Sequence, residues 1–147
     1  MKKLLVALDG SPRQQGVLDA AIALARKAGA KVVLFRSVGI PKDLPAEAYA
    51  VSPEEIPALL ERLATRDLEK LEGSVPAEIR GAVRVVVGTP WQSIDHAARE
   101  ENVDLIVIGS HGYGALDRVL GTTAAKVVNH ADRAVLVVRA PERLTAQ

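Results

Sequence analysis

A chain of 147 residues with 48% hydrophobic content has room for one domain with a buried core and falls outside the disordered class. Its 19 basic and 18 acidic residues leave a formal charge of +1, which gives no electrostatic footprint for nucleic acid or an anionic membrane. With no cysteine, disulfides, thiolate catalysis and zinc–thiolate sites are excluded.

Lys3 to Leu8 is a mostly apolar run of strand length. Asp9 and Gly10 stop it well short of a signal-peptide h-region, so it reads as a first strand and the protein as cytoplasmic. Ser11-Pro12 supplies a helix N-cap and a first-turn proline. The helix runs to about Lys27, with Leu18, Ala21, Ile22 and Ala25 on one face. Gly29 ends it, and Val32 to Phe35 is a second buried strand.

Val38 to Val51 reads as a long loop. Ser52 and Glu55 have capping-box spacing, yet Pro57 lies too deep for a regular interior, so the second helix is expected from about Ala58 to Leu71. Val83 to Val87 is a third strand, and Thr89-Pro90 opens a helix from Trp91 to Glu101. A fourth strand over Asp104 to Ile108, a helix over Thr122 to His130 and a fifth strand over Ala134 to Val138 complete the pattern. Strands alternating with helices imply an α/β fold: a doubly wound parallel sheet with helices on both faces, in a single domain over residues 1–147. Such sheets bind ligands at the carboxyl ends of strands where the winding reverses. The exits Asp9-Gly10-Ser11 and Gly109-Ser110-His111-Gly112 come together if the first and fourth strands are neighbours, a pairing the residues leave open.

The segment from Gly109 to Thr123 carries the most chemistry. Gly109 and Gly112 have no Cβ, so they can take φ > 0 and bring backbone N–H groups close to an anion. Gly121 opens a helix whose free N–H groups and dipole favour negative charge. The spacing is not the dinucleotide fingerprint, because Asp117 stands where a third glycine is needed, and no Gly-Lys-Thr makes a Walker loop. Asp9 suits a turn, and equally suits a Mg²⁺ ligand acting beside phosphate oxygens. His111 has no identifiable carboxylate partner and reads as a loop-positioning residue. His96, Arg118 and Lys126 read as surface residues, Trp91 as packing, and His130 as the complement of a helix C-terminus. The three histidines lack metal-ligand spacing. Ala134 to Val138 carries no polar side chain and would be an aggregation hazard at a bare sheet edge. The same strand of a second chain would cover it as a two-fold homodimer.

Leu5-Val6-Ala7-Leu8-Asp9-Gly10-Ser11, Gly88-Thr89-Pro90, Asp104 to Gly112 and Ala134 to Val138 together resemble the universal stress protein family over essentially the whole chain. The resemblance implies a Rossmann-like sheet of five strands in the order 3-2-1-4-5, which places the first and fourth side by side, and a dimer through the fifth. In the nucleotide-binding branch it implies ATP or another adenine nucleotide, and a Mg²⁺ at Asp9 would be the ion accompanying its phosphates. Carried over residue by residue, it implies the backbone of Ala7 and the side chain of Asp9 near the nucleoside, and the backbone around Ser37 against adenine. Ile108, Gly109 and Gly112 would lie along ribose and phosphates, with Gly121, Thr122 and Thr123 closing on the phosphates. Arg36 and Ser37 stand where the family often has His and Val. The family's phosphate loop reads Gly, two residues, Gly, nine residues, Gly, then Ser or Thr. Here eight residues, Tyr113 to Leu120, separate Gly112 from Gly121, and the shortening is assigned to the Tyr113 to Asp117 stretch. The implied function is an ATP-binding switch in stress response or signalling. No catalytic residue is assigned, since the cradle comes without a recognisable base or water-positioning group. A slow ATPase or phosphate-transferring enzyme, and a dimeric interaction module without nucleotide, are the alternatives.

Overall fold

The computed structural model describes residues 1–39, 46–50, 52–111 and 120–139. The first strand, β1 (Lys3–Ala7), leads through a turn into α1 (Gln14–Ala28), and β2 (Lys31–Val38) follows. Single 3-10 turns at Ala46–Ala50 and Pro53–Glu55 precede α2 (Ile56–Glu72), and another at Ala77–Ile79 precedes β3 (Arg80–Val87). The chain then forms α3 (Pro90–Glu100), β4 (Leu105–Gly109), α4 (Thr122–His130) and β5 (Ala134–Val138). The five strands make one sheet in the order β3-β2-β1-β4-β5, and every neighbouring pair is parallel. The expected α/β architecture and its 3-2-1-4-5 order are therefore present.

Alternation along β1 distributes the helices. Leu4, Val6 and Leu8 pack in one core with Val17, Leu18 and Ala21 of α1 and Leu68 of α2. Leu5 lies in the other core with Ile94 and Ala97 of α3 and Val127 of α4. Leu4, Leu5 and Leu18 are fully buried, each contributing about 1.5–3 kcal/mol relative to an exposed side chain. Among the described residues no helix is long and apolar enough to cross a membrane.

Four boundaries differ from the sequence reading by two residues or more, each for a local reason. The first helix begins at Gln14, because Ser11 serves a turn: its N–H donates to Asp9 Oδ1 at 2.9 Å, and its Oγ accepts from the Arg13 N–H at 3.3 Å. β2 continues past Phe35 through two polar residues, since Arg36, Ser37 and Val38 pair in register with Val85, Val86 and Val87. α2 begins at Ile56, ahead of Pro57; in a first turn the missing proline N–H has no partner to lose. The Ser52–Glu55 capping box closes the preceding 3-10 turn instead. β3 starts at Arg80, three residues early. Of the expected loop, Val38 belongs to β2 and Ala46–Ala50 forms a turn, while 40–45 and 51 lie outside the described residues.

Candidate functional site

β1 is the strand at which the winding reverses, with β2 on one side and β4 on the other. Ala7 lies in register with Phe35 and with Ile108, so the carboxyl ends of these strands open together, as expected for a ligand site in such a sheet. A cleft of about 190 Å³ occupies that position. Ala7, Asp9, Ser37, Ile108, Gly109, Gly121, Thr122 and Thr123 all line it. Gly112, the ninth residue singled out from the sequence, lies outside the described residues, as do Arg118 and the Tyr113 to Asp117 stretch. Leu8, Pro90, Ile94, Ser110, His111 and Ala124 complete the lining. Pro90 and Ile94 were legible only as the start of α3.

The polar end of the cleft is built by α4. Its N-cap is Gly121, which supplies no side-chain cap, and its first turn holds no acidic residue. The Gly121 N–H donates to the Ser110 carbonyl at 2.7 Å. The N–H groups that follow, on Thr122, Thr123 and Ala124, belong to the first turn of a helix, where intrahelical acceptors are missing. The positive end of the dipole thus meets the cleft with no acidic residue in its own first turn, an arrangement that favours a bound anion. Ile94, Ile108 and Ala124 give the same cleft an apolar wall.

The Gly121–Ser110 bond also brings the two ends of the glycine loop together across the shortened spacing. Ser110 is further held by its N–H donating to the Val138 carbonyl at 2.8 Å. Its Oγ lies 3.0 Å from His111 Nδ1, so buried His111 does have an orienting neighbour, a hydroxyl rather than a carboxylate. Gly109 corrects an expectation: among the described glycines, only Gly10 (81°) and Gly29 (69°) have positive φ. What Gly109 provides is room, since a Cβ there would stand 3.0 Å from Val17 Cγ2 of α1. Gly121 is similarly confined, with a Cβ falling 3.2 Å from the Ser110 carbonyl oxygen.

Asp9 is exposed at the cleft edge and accepts the Ser11 N–H, so its turn role is realised. Among the described residues no group of three or more His, Asp or Glu could hold a metal ion. A lone carboxylate fits a Mg²⁺ that arrives with phosphate oxygens, which is the usual manner of its binding. His96 is exposed beside Glu100 at 3.2 Å, Lys126 is exposed, and Trp91 stacks on His130 with centroids 4.6 Å apart.

Sequence reasoning noted Arg36 only as a departure from the family's usual His and gave it no role. It is only 8% exposed; its Nε donates to the Leu8 carbonyl and its Nη2 to Gln14 Oε1, both at 2.9 Å. Gln14 Oε1 also accepts the Gly10 N–H at 3.0 Å. The available signal was an arginine continuing the apolar run Val32 to Phe35, where a charge must find partners.

The profile of the universal stress protein family matches residues 1–139. The chain is 32% identical to the universal stress protein Sll1388 of Synechocystis over 149 residues, spanning 93% of this chain and 97% of that one. Its structure is similar to that of UspA from Lactobacillus plantarum, with a TM-score of 0.71 and 25% identity over 94% of this chain and 97% of the other. It shares its fold with a universal stress protein from Archaeoglobus fulgidus in complex with dAMP, with a TM-score of 0.59, 22% identity and coverage of 95% and 98%. The chain belongs to the universal stress protein family.

Proposed function

We propose that this protein binds an adenine nucleotide, ATP with Mg²⁺ first among them, in the cleft at the ends of β1 and β4, and acts as a nucleotide-dependent switch in stress response or signalling. The observation that carries the reading is the convergence of eight residues that match the family's nucleotide site on one cleft beneath the N-terminus of α4, which has no side-chain cap. The apolar wall of Ile94 and Ile108 receives the base and ribose, with backbone near Ser37 reading the adenine edge. The first-turn N–H groups of Thr122 and Thr123 receive phosphate oxygens. Mg²⁺ bound with the phosphates would neutralise part of their charge, and Asp9 would be its protein ligand. The dAMP complex of a protein with the same fold supports the class of ligand.

Binding rather than efficient turnover is the reading that the described lining supports. Rapid phosphoryl transfer needs a positioned nucleophile and charge stabilisation around the transferring group, and the described lining offers His111 against a serine hydroxyl as its one histidine. In the same reading the protein is one cytoplasmic domain over residues 1–147, and pairs as a homodimer through β5. Half-exposed Leu136 on that edge strand is the apolar surface a second copy would cover.

The test is to denature the purified protein, identify any nucleotide released, and then measure Mg·ATP binding and turnover. Retained or rebound adenine nucleotide with turnover far slower than release supports the switch. Multiple turnovers abolished by His111→Ala would establish the ATPase instead, and absence of binding would leave an interaction module.

A further inference from the structure

We propose that Arg36 is the positioning residue of the cleft, bracing the Leu8–Gly10 turn from the opposite face of the sheet so that Asp9 is presented in a single orientation. This rests on the adenine-nucleotide reading above and names the device that prepares that site.

Arg36 shares the parity of Val32 and Leu34, which pack in the α1/α2 core. The cleft takes its apolar wall from Ile94 and Ile108, of the α3/α4 core. The guanidinium therefore acts on the site through the turn, and does not line the cleft. A buried guanidinium needs hydrogen-bonding partners. Asp67 is a distant one, at 3.8 Å and 63% exposed, where solvent screening leaves an ion pair little strength. The closer bonds go to the turn itself. Nε holds the carbonyl of Leu8, immediately before Asp9. Nη2 holds Gln14 Oε1, which in turn accepts the N–H of Gly10, immediately after Asp9.

Asp9 is thus flanked on one side by a direct bond from the guanidinium and on the other by a bond relayed through Gln14. Gly10, at φ 81°, is the residue most in need of such a brace, because glycine has other backbone conformations open to it at little expense. An arginine suits the task where a lysine does not: its fork reaches two acceptors in fixed relative positions, whereas an ammonium on a flexible stem specifies neither.

The experiment compares wild type with Arg36→Met, Arg36→Lys and Gln14→Met, reading amide exchange at Gly10 and in the sheet by NMR, and Mg·ATP affinity by calorimetry. Expected for Arg36→Met is exchange at Gly10 faster by about tenfold or more with sheet amides such as Leu5 and Ile106 unmoved, and Mg·ATP binding weaker by about tenfold. Arg36→Lys should recover part of both, and Gln14→Met should reproduce the Gly10 effect. Unchanged Gly10 exchange and affinity in Arg36→Met, or equal loss of protection throughout the sheet, overturns the proposal. If Arg36→Met does not fold, Arg36→Lys decides by the same two readings, since Gln14→Met removes the Gly10 acceptor directly: Gly10 exchange and Mg·ATP affinity both as in wild type overturn the proposal. Wild-type protein that binds no adenine nucleotide overturns the proposed function, and the Gly10 exchange rates still decide for or against the brace.

Discussion

Substitution of Gly121 tests the phosphate end of the cleft at one atom. A Cβ there falls 3.2 Å from the Ser110 carbonyl oxygen and 3.5 Å from His111 Cα, so a neighbour must give by a few tenths of an ångström. The same carbonyl accepts the Gly121 N–H at 2.7 Å, and it cannot retreat from the methyl without lengthening the bond that joins the loop ends. Overpacking of this kind costs about 1–3 kcal/mol, with alanine at the low end and valine, which adds two branched carbons, at the high end. A nucleotide that requires the joined arrangement bears that penalty in its affinity. At about 1.4 kcal/mol per factor of ten, Gly121→Ala should weaken Mg·ATP binding roughly fivefold and Gly121→Val roughly a hundredfold. Because the penalty is borne on binding and the buried clusters on both sheet faces are untouched, thermal unfolding without ligand should stay within about 2–4 °C of wild type. Calorimetric titration gives the affinities and a melting curve gives the stability. A Gly121→Val protein that binds Mg·ATP as tightly as wild type would refute the reasoning about this junction.

Asp9→Asn keeps an acceptor for the Ser11 N–H while removing the charge. Binding of Mg·ATP should weaken about tenfold, with binding of metal-free ATP unaffected or improved, as expected for loss of a metal-directed carboxylate; equal titrations of both species would leave Asp9 a turn residue alone. Leu136→Glu places a charge on the β5 edge and should convert a dimer to a folded monomer by light scattering, whereas an unchanged dimer would move the interface elsewhere. Asp104 accepts the Lys2 and Lys3 N–H groups at 2.7 and 3.0 Å, and these bonds hold its carboxyl below its ordinary value of 3.8. A lowered folded value means that the stabilisation is present above the ordinary carboxylate range and is lost as pH falls through the folded value. The urea midpoint of Asp104→Asn should accordingly fall less steeply in acid than that of wild type, and parallel curves would contradict the assignment.

What could be read from the chain, and what could not, follows from the range of the interactions. β5 and α4 stand where hydrophobic pattern and helix signals put them, because both are local. The start of α1 was misplaced because Ser11-Pro12 has the composition of a helix cap, while Ser11 spends its N–H on Asp9. β2 was ended too soon because Arg36 and Ser37 look like loop residues until β3 pairs with them. Asp9, Gly109 and Gly121 were legible as glycines and a polar residue at strand exits and a helix start, where this topology gathers its ligand-facing groups, whereas Ala7, Ser37, Ile108, Thr122 and Thr123 followed only from the family resemblance. The role of Gly109 was misjudged, since close approach to Val17 is invisible in a linear pattern. The Arg36 brace was missed for the same reason: it joins residues 22 and 28 positions apart, and no local spacing announces such a contact.

The most direct measurement is a titration of the isotopically labelled protein with Mg·ATP, followed by backbone amide shifts. Nucleotide binding in the cleft predicts saturable shifts concentrated at Ala7, Asp9, Ser37, Gly109 and Gly121 to Thr123, with the exposed face of α2 silent. Absence of shifts at millimolar nucleotide, or shifts confined to α2, would contradict it.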